Sequence, residues 1–465
     1  MMKVFGLGAS LVLFAGCSFT VAAPGGFHEC NQDSDCQGGQ VCKENYCIGN
    51  TVPTGCGETY GASADDANAL HIGAALPITP SSGTDESEIA GLNAIKLAVD
   101  EINQRTIATH PLALHICDTK ADSDTVKKQV DWLINDQKAF GIITSGSGQT
   151  IAASTVTIGK STVLISATAT SPEITSLAAT NNGSPRLVWR TAPSDAIQGK
   201  AIAQVIATNT TFTSSMKIGV IYLNDPYGQG LKDVIQQSIA TPRSASGFLY
   251  ERGGDITAAV TSLNAYDPDV TVLIGFPDDA VKIIQKANTL SGSNLTKAQG
   301  HQWFFTDSAK DPALISGLGA LASEIQSAYG TAAAQGAGVA YQSFKDAYLS
   351  KYQVDPASYA FTSHSYDAAY VLALGASWAA KGGATAVTGL GVAEGLTKLS
   401  QGTSYRLSPT QFTAASNDLA AGKSIDIDGS SGKLDFDSAT GEAPSPIELW
   451  QVSGNGFTTK STIEP

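Results

Sequence analysis

The 465-residue chain is short of positive charge: 28 lysine and arginine residues stand against 42 aspartate and glutamate residues, a formal net charge of −14. Charged residues of both signs make up only 15% of the sequence. A protein that binds nucleic acid needs a basic surface to neutralise phosphate groups. The composition therefore argues against DNA or RNA as a partner and favours a soluble, exported globular protein.

The chain also lacks the short motifs that mark several classes of enzyme. It contains no His-Glu-x-x-His zinc motif, no G-x-x-x-x-G-K phosphate loop and no G-x-S-x-G nucleophile turn. Ser214 and Lys217 have the Ser-x-x-Lys spacing of acylating serine enzymes. Those enzymes place the serine at the start of a helix, whereas Ser214 comes just before a predicted strand. We therefore expect no catalysis, no bound metal and no cofactor, and a hydrolase is the weaker alternative.

Beyond its N-terminal segment, the chain has no apolar run of the roughly 20 residues that are needed to cross a bilayer. That segment has the pattern of a secretory leader, because Lys3 precedes a short uncharged apolar run. Phe14-Ala15-Gly16-Cys17 resembles a bacterial lipobox, whose cysteine is lipidated and becomes the first residue of the mature protein. We therefore predict a signal peptide over residues 1–16 and a lipidated tether over residues 17–29. Ordinary cleavage after Ala23 is the alternative.

The predicted anchor indicates a location outside the cytoplasm, in the periplasm or the cell envelope. Ser18 follows Cys17, and in lipoproteins a residue that is not acidic at this position favours sorting to the outer membrane. Clustered cysteines are typical of the same oxidising compartment.

Six cysteines remain besides Cys17, and five of them lie in a polar, cysteine-rich module over residues 30–56, four of these within residues 30–47. Residues 30–47 contain almost no apolar side chains from which a core could form, so disulfides are needed to order them. We expect two disulfides, with three possible pairings, among Cys30, Cys36, Cys42 and Cys47. A zinc site is the alternative, although no C-x2-C pair is present. Cys56 and Cys117 are then left to pair with each other.

From Leu70 onward, short apolar strands alternate with amphipathic helices. The predicted strands are His71–Leu76, Leu112–Cys117, Phe140–Thr144, Val163–Ser166, Lys217–Leu223, Val270–Phe276 and Gln302–Thr306. The predicted helices are Glu88–Asn103, Asp122–Lys138, Asp278–Leu290 and His364–Ala380. This alternation indicates βαβ units and an α/β fold with parallel, doubly wound sheets. In such folds ligands bind beyond the carboxyl ends of the strands.

The length of this region predicts more than one core. Roughly 400 residues are too many for a single hydrophobic core, so we expect two lobes. Residues 57–68 are polar and rich in turn-forming residues, which predicts a linker between the cysteine-rich module and the first lobe.

Seven short motifs follow one another after this linker. They include residues 71–80 (HIGAALPITP), 164–175 (LISATATSPEIT), 218–230 (IGVIYLNDPYGQG), 366–369 (YDAA) and 432–437 (GKLDFD). In this order the motifs resemble the type I periplasmic binding proteins, the leucine/isoleucine/valine-binding family of ABC transport. The resemblance covers residues 70–465 and leaves the cysteine-rich module outside.

The resemblance implies two Rossmann-like lobes that are joined by three hinge strands and close around a small ligand. Because the chain crosses between the lobes, each lobe is discontinuous. Residues 69–190 and 311–435 would form the first lobe, and residues 191–310 and 436–465 the second. Arg190, at the first crossing, would either line the cleft or form a salt bridge at the hinge.

The resemblance also implies where a ligand binds. In amino-acid binders of this family, the first lobe holds the ligand carboxylate at positions that correspond to Ser147, Thr168, Ala169 and Thr170. The second lobe supplies aromatic and acidic residues to the ammonium group, and the matching residues are Tyr227, Phe276 and Asp307. From the residues alone, Ser147 could instead be a helix cap, and Asp307 could cap the helix that follows it.

The implied function is capture of a small polar ligand, an amino acid or an amide, for an ABC transporter. The mechanism is hinge closure without chemistry, and the partners are an inner-membrane ABC permease and the membrane that holds the lipid anchor. The alternative is a sensory or surface receptor on the same fold that works without a transporter.

Overall fold

The computed structural model of the chain describes residues 29–32, 35, 36, 40–43, 45–49, 52–107, 110–180, 183–381 and 386–465. The predicted signal peptide, Cys17 and the tether up to residue 28 lie outside the described residues. The chain forms two compact units, one that ends at Val52 and one that starts at Pro53. No helix among the described residues is long and apolar enough to cross a membrane.

The first unit is held by disulfides. Strands β1 (Gln40–Lys43) and β2 (Tyr46–Gly49) pair in an antiparallel hairpin. Of the three possible cysteine pairings, the structure has Cys30–Cys42 and Cys36–Cys47. The prediction of two disulfides is confirmed. The zinc alternative is wrong for these four residues, because their sulfurs are joined in S–S bonds and cannot act as thiolate ligands.

The second unit contains two large sheets. The first sheet consists of β3 (Cys56–Gly61), β4 (Leu70–Leu76), β5 (Leu112–Asp118), β6 (Gly141–Thr144), β7 (Val163–Ser166) and β8 (Val188–Arg190). The strands lie in the order β3-β5-β4-β6-β7-β8, and all are parallel except β3, which runs antiparallel to β5. The helices between these strands are α1 (Glu86–Asn103), α2 (Ser123–Asn135), α3 (Ser147–Gly159) and α4 (Pro172–Ser176).

Strand β3 corrects the prediction of a linker over residues 57–68. It pairs along β5 as an edge strand, and the Cys56–Cys117 disulfide joins the two strands, as the cysteine count predicted. Tyr60 donates a hydrogen bond to Asp100 of α1 at 2.9 Å, which fixes the strand to the first helix. The segment is polar because an edge strand keeps one face in contact with solvent.

The second sheet begins after helix α5 (Asp195–Thr208). Its strands are β9 (Lys217–Leu223), β10 (Ser244–Tyr250), β11 (Val270–Ile274), β12 (Gln302–Phe305), β13 (Tyr329–Ala333), β16 (Ile447–Ser453) and β17 (Gly456–Ile463). They lie in the order β10-β9-β11-β12-β13-β16-β17, with β16 and β17 antiparallel to their neighbours. The helices between them are α6 (Pro226–Ser238), α7 (Thr257–Tyr266), α8 (Pro277–Thr289) and α9 (Pro312–Leu318).

Between β13 and β16 the chain returns to the core of the first sheet. This part comprises α10 (Gly338–Tyr352), α11 (Thr362–Ala379), α12 (Gly389–Leu396), β14 (Thr403–Arg406), α13 (Pro409–Ala420) and β15 (Ile425–Asp428). Helix α11 is buried along almost its whole length and packs against α1. Each sheet with the helices that share its core is called a lobe below, the first lobe and the second lobe.

The return to the first lobe comes later than the predicted boundary at residue 311. Helix α9 buries Leu314, Ile315 and Leu318 in the core of the second sheet, and β13 pairs with β12. The chain therefore stays with the second sheet up to Ala333. Helix α9 and strand β13, which come just after residue 311, have only 7 and 5 residues and show no period in the sequence, so the pattern does not reveal that they belong to the second sheet.

Candidate functional site

A cavity of about 480 Å³ lies between the two sheets, which is within the range of volumes that hold small-molecule ligands. Its lining residues follow the carboxyl ends of parallel strands, β4 to β7 in the first sheet and β9 to β12 in the second. This is where doubly wound α/β folds bind their ligands. Of the seven predicted ligand-binding residues, six line the cavity: Ser147, Thr168, Thr170, Tyr227, Phe276 and Asp307.

The wall from the first lobe presents the start of α3. Gly146 is the N-cap with a φ of 74°, and no side chain in the described part of the chain accepts a hydrogen bond from the first turn of α3. Ser147, Gly148 and Gln149, the first three residues of α3, all line the cavity. Uncapped N–H groups and the helix dipole favour an anion at such a place. The alternative that Ser147 is the helix cap is wrong, because Gly146 occupies that position.

Hydroxyl groups stand beside this helix terminus. Thr168 Oγ1 accepts a hydrogen bond from the Gly146 N–H at 2.7 Å, and the Thr170 hydroxyl donates to Asp195 at 3.0 Å. The Ser147 hydroxyl accepts from the Ser171 N–H at 3.2 Å. These bonds fix the three hydroxyl oxygens. The Ser147 hydroxyl accepts and so keeps its own hydrogen for an anion in the cavity, whereas the Thr170 hydroxyl donates its one hydrogen to Asp195.

Ala169 was predicted with its neighbours but does not line the cavity. It is fully buried, and its N–H donates to Ser166 Oγ at 3.1 Å. Its carbonyl accepts from Arg190 at 3.2 Å. Because both of its backbone groups are already hydrogen-bonded, Ala169 holds the Thr168–Thr170 turn in shape and offers nothing to a ligand.

The wall from the second lobe carries a buried acid. Asp307 follows β12 and accepts hydrogen bonds from the Tyr227 hydroxyl at 2.5 Å and from the Gln198 amide at 3.3 Å. The cap of α9 is Asp311, which accepts from the Ala313 N–H at 2.7 Å. Asp307 is therefore not the cap of the following helix, which was its alternative role.

Asp307 belongs to an acidic pair with Asp195. Burial raises the pKa of Asp195 well above its usual range, and the nearby charge of Asp307 adds to this shift. Burial also raises the pKa of Asp307, while the hydrogen bonds from Tyr227 and Gln198 oppose the rise. Asp195 Oδ1 has no hydrogen-bond partner in the described part of the chain. A cation bound beside Asp307 would relieve the cost of keeping this pair buried.

Further charged residues that the sequence analysis did not assign to the site also line the cavity, among them Asp85, Glu88, Glu251, Arg252 and Lys310. Glu88 of α1 accepts a hydrogen bond from Ser145 Oγ, and burial raises the pKa of Glu88 to about 8, with Asp85 adding to the shift. Arg252, in the turn after β10, lies over Phe276 with Cζ 3.8 Å from the ring centroid. The sequence pattern marks Glu88 only as the first residue of a predicted helix. Arg252 follows β10, a strand that the sequence pattern does not predict.

Arg190 does not line the cavity and belongs to the hinge. It is fully buried, forms an ion pair with Glu442, and donates to the Ser171 carbonyl at 2.9 Å. Glu442 lies between β15 and β16, in the segment that leads back to the second sheet. The ion pair therefore joins two of the segments that connect the lobes. Of the two roles predicted for Arg190, the salt bridge is confirmed.

Comparisons with known proteins give one consistent picture. Residues 69–456 match the family described as periplasmic binding protein. The chemotactic signal transduction system substrate-binding protein BasB of Halobacterium salinarum is 22% identical over 398 residues, which cover 84% of this chain and 89% of that protein.

Two solved structures show the same fold. The leucine-binding protein LivK of Thermotoga maritima superimposes with a TM-score of 0.68 at 18% identity, covering 85% of this chain and 99% of that one. The branched-chain amino acid transporter substrate-binding protein LivJ of Streptococcus pneumoniae, solved with isoleucine, gives 0.67 at 19% identity, covering 85% of this chain and 100% of that one.

The family match spans most of the chain, and the two α/β lobes enclose one cavity at the carboxyl ends of their strands. The family and these relatives are extracytoplasmic solute-binding proteins and not enzymes. The chain belongs to the type I periplasmic binding protein family.

Proposed function

We propose that the protein captures an L-α-amino acid in this cavity by closing its two lobes around it. The observation that carries the proposal is that an uncapped helix terminus and a buried acid lie on opposite walls of one cavity. The start of α3, with the Ser147 hydroxyl, would hold the carboxylate, and Thr168 and Thr170 would shape this wall. Asp307, with Tyr227, would hold the ammonium group through a charge-assisted hydrogen bond. An α-amino acid carries a carboxylate and an ammonium group on the same carbon atom, so it presents one charge to each wall.

Closure would follow from contacts with both lobes. Each wall belongs to a different lobe, so a ligand makes its full set of contacts only when the lobes are together, and binding shifts the population toward that state. Bending at a few connecting segments is the usual form of such a motion. The Arg190–Glu442 ion pair would keep two of these segments together while the lobes move.

The captured amino acid would pass to an ABC permease in the inner membrane. Two relatives support this proposal, because one is named a leucine-binding protein and the other a substrate-binding protein of a branched-chain amino acid transporter. Lipidation of Cys17 would tether the protein to the cell envelope, in the inner or the outer membrane. The disulfide-bonded module would then act as a spacer between the anchor and the two lobes.

A sensory receptor is the second candidate function, and one similarity favours it. BasB is named as the substrate-binding protein of a chemotactic signal transduction system. On this alternative, a signalling partner instead of a permease would recognise the closed, loaded form. A deletion strain distinguishes the two: loss of uptake of the ligand supports transport, and loss of movement toward the ligand with normal uptake supports sensing.

A thermal-shift screen of the purified protein tests amino-acid capture. The panel contains L-amino acids, amides, polyamines and small carboxylates. A ligand present at about 100 times its dissociation constant stabilises the folded state by about 2.7 kcal/mol. We expect such a shift with at least one L-amino acid and a much smaller one with the matching amine or the matching acid. Shifts only with compounds that lack an ammonium group, or no shift at all, would contradict the proposal.

A further inference from the structure

The guanidinium group of Arg252 lines the cavity without a hydrogen-bond acceptor. Its side chain is only 25% exposed, yet none of its N–H groups donates a hydrogen bond within the residues that the structure describes. Its one ion pair is long: Nη2 lies 4.0 Å from Asp278 Oδ1, and the other oxygen of that carboxylate lies 3.9 Å from Lys282. Within the described residues, the five N–H donors at this cavity wall thus have one distant carboxylate, that of Asp278, and no hydrogen-bond acceptor.

The two buried arginines among the described residues behave differently from the half-buried Arg252. Arg186 donates to the carbonyls of Ile174 and Val188 at 2.8 and 2.7 Å, and Arg190 is paired with Glu442. Both of these side chains serve the structure of the hinge region. Arg252 donates no comparable hydrogen bond among the described residues. The fold holds it by the ring of Phe276 and by the charges of nearby carboxyl groups, those of Asp278, Asp225, Asp279 and Glu88.

Phe276 sets the position of this guanidinium. The distance of 3.8 Å from Cζ to the ring centroid is well within the range of a cation–π contact, which adds roughly 0.5–2 kcal/mol of attraction. A ring that covers one face of a guanidinium leaves the N–H groups at its edge free for two parallel hydrogen bonds to a carboxylate. The ring therefore holds a planar anion-binding group ready before the ligand arrives.

We infer that Arg252 binds a second anionic group, carried by the side chain of the ligand, and that the protein prefers acidic amino acids. The inference rests on the proposed capture of an amino acid, in which α3 and Asp307 hold the two charges of the backbone and leave Arg252 for the side chain. An apolar side chain on the ligand would exclude water from the guanidinium without providing a hydrogen-bond acceptor, and this would cost binding free energy. A carboxylate at the end of the side chain would satisfy it.

Glu88 is the competing partner for Arg252. Both side chains line the cavity from opposite lobes, and the charge of Arg252 lowers the pKa of Glu88, which burial raises to about 8. The structure contains no ion pair between them. If closure brought them into contact, their ion pair would stabilise the closed state whatever the ligand, a role called the latch below. Loss of Arg252 would then weaken the binding of every ligand by the same factor.

Calorimetric titration with L-glutamate and L-glutamine separates these roles, because the two ligands have nearly the same shape and differ in side-chain charge. In the unaltered protein we expect glutamate to bind at least about tenfold more tightly than glutamine. Arg252→Gln should abolish this preference through loss of glutamate affinity and leave glutamine within about twofold. Arg252→Lys should restore it only in part, because an ammonium group lacks the planar fork. Arg105→Gln, a change of an exposed residue outside the cavity, is the matched control.

Equal losses for both ligands in Arg252→Gln would overturn the inference in favour of the latch. Tighter binding of L-glutamine or L-lysine than of L-glutamate to the unaltered protein would also overturn it. Glutarate, which lacks the ammonium group, separates this inference from the proposed function. If no amino acid binds but glutarate binds and requires Arg252, the amino-acid proposal fails and the assignment of Arg252 stands. If glutarate does not bind either, both fail.

Discussion

Replacing Asp307 by asparagine should weaken ligand binding without weakening the empty fold. The Asp307 carboxylate faces the cavity, is bonded to Tyr227 and Gln198, and raises the pKa of its neighbour Asp195. Asparagine keeps the shape and one acceptor oxygen but removes the charge. The loss of a charged hydrogen bond to the ammonium group should cost about 1.5–3 kcal/mol, or about 10- to 150-fold in affinity.

Both effects can be measured by thermal unfolding with and without the amino acid. At about 100 times the dissociation constant, the ligand stabilises the unaltered protein by about 2.7 kcal/mol. If the variant binds 100-fold more weakly, the same concentration gives only about 0.4 kcal/mol. Without ligand, Asp307→Asn should unfold at the same temperature or higher, because Asp195 loses a like-charged neighbour.

Asp124→Asn is a suitable control for this experiment, because the Asp124 side chain is 81% exposed on α2 and does not line the cavity. It should leave both the affinity and the unfolding temperature unchanged. The reasoning is refuted if Asp307→Asn binds the amino acid as tightly as the unaltered protein. A lower unfolding temperature of the empty variant would show instead that Asp307 is needed for the fold.

Further predictions concern a buried acid, a disulfide and the lipid anchor. Burial moves the pKa of Glu88 from 4.5 in the unfolded chain to about 8 in the folded protein, so this carboxyl lowers stability as pH rises between those values. Glu88→Gln should reduce the fall in the free energy of unfolding with pH by up to about 1.4 kcal/mol per pH unit, as measured by urea unfolding. An unchanged slope would show that Glu88 does not titrate between these pH values. Cys56 and Cys117 are 61 residues apart, so replacing both with alanine should cost about 4 kcal/mol, and a loss below about 1 kcal/mol would contradict the stabilising role. Cys17→Ser should release the protein from the membrane fraction, and continued membrane association would refute lipidation.

The elements that could be predicted from the sequence are those with strong apolar patterns. Strands Val163–Ser166 and Lys217–Leu223 have the predicted bounds, because both are apolar runs buried inside a parallel sheet. The predicted helix over Glu88–Asn103 begins two residues earlier, at Glu86, since Asp85 caps it by accepting hydrogen bonds from the N–H groups of Ser87 and Glu88. This cap is local, and an aspartate just before an apolar-periodic run is the sequence signal that marks such a helix start.

Edge strands and short elements could not be predicted. Ser244–Tyr250 mixes exposed and partly buried residues at the edge of the second sheet, so it lacks the apolar run that marked its neighbours. Five of the six predicted residues that line the cavity follow predicted strands, and Phe276 ends one; the topology of parallel strands places such positions at the same edge of a sheet. Arg252 follows the missed edge strand, and its contact with Phe276 depends on how two turns of the folded sheet approach each other.

A crystal structure with the amino acid that gives the largest thermal shift tests the central claim most directly. We expect one ligand in the cavity between the lobes. Its carboxylate should lie within hydrogen-bond distance of the first N–H groups of α3 and the Ser147 hydroxyl, and its ammonium group should lie beside Asp307. A ligand bound outside this cavity, or one held with its ammonium group at α3 and its carboxylate at Asp307, would contradict the proposed site.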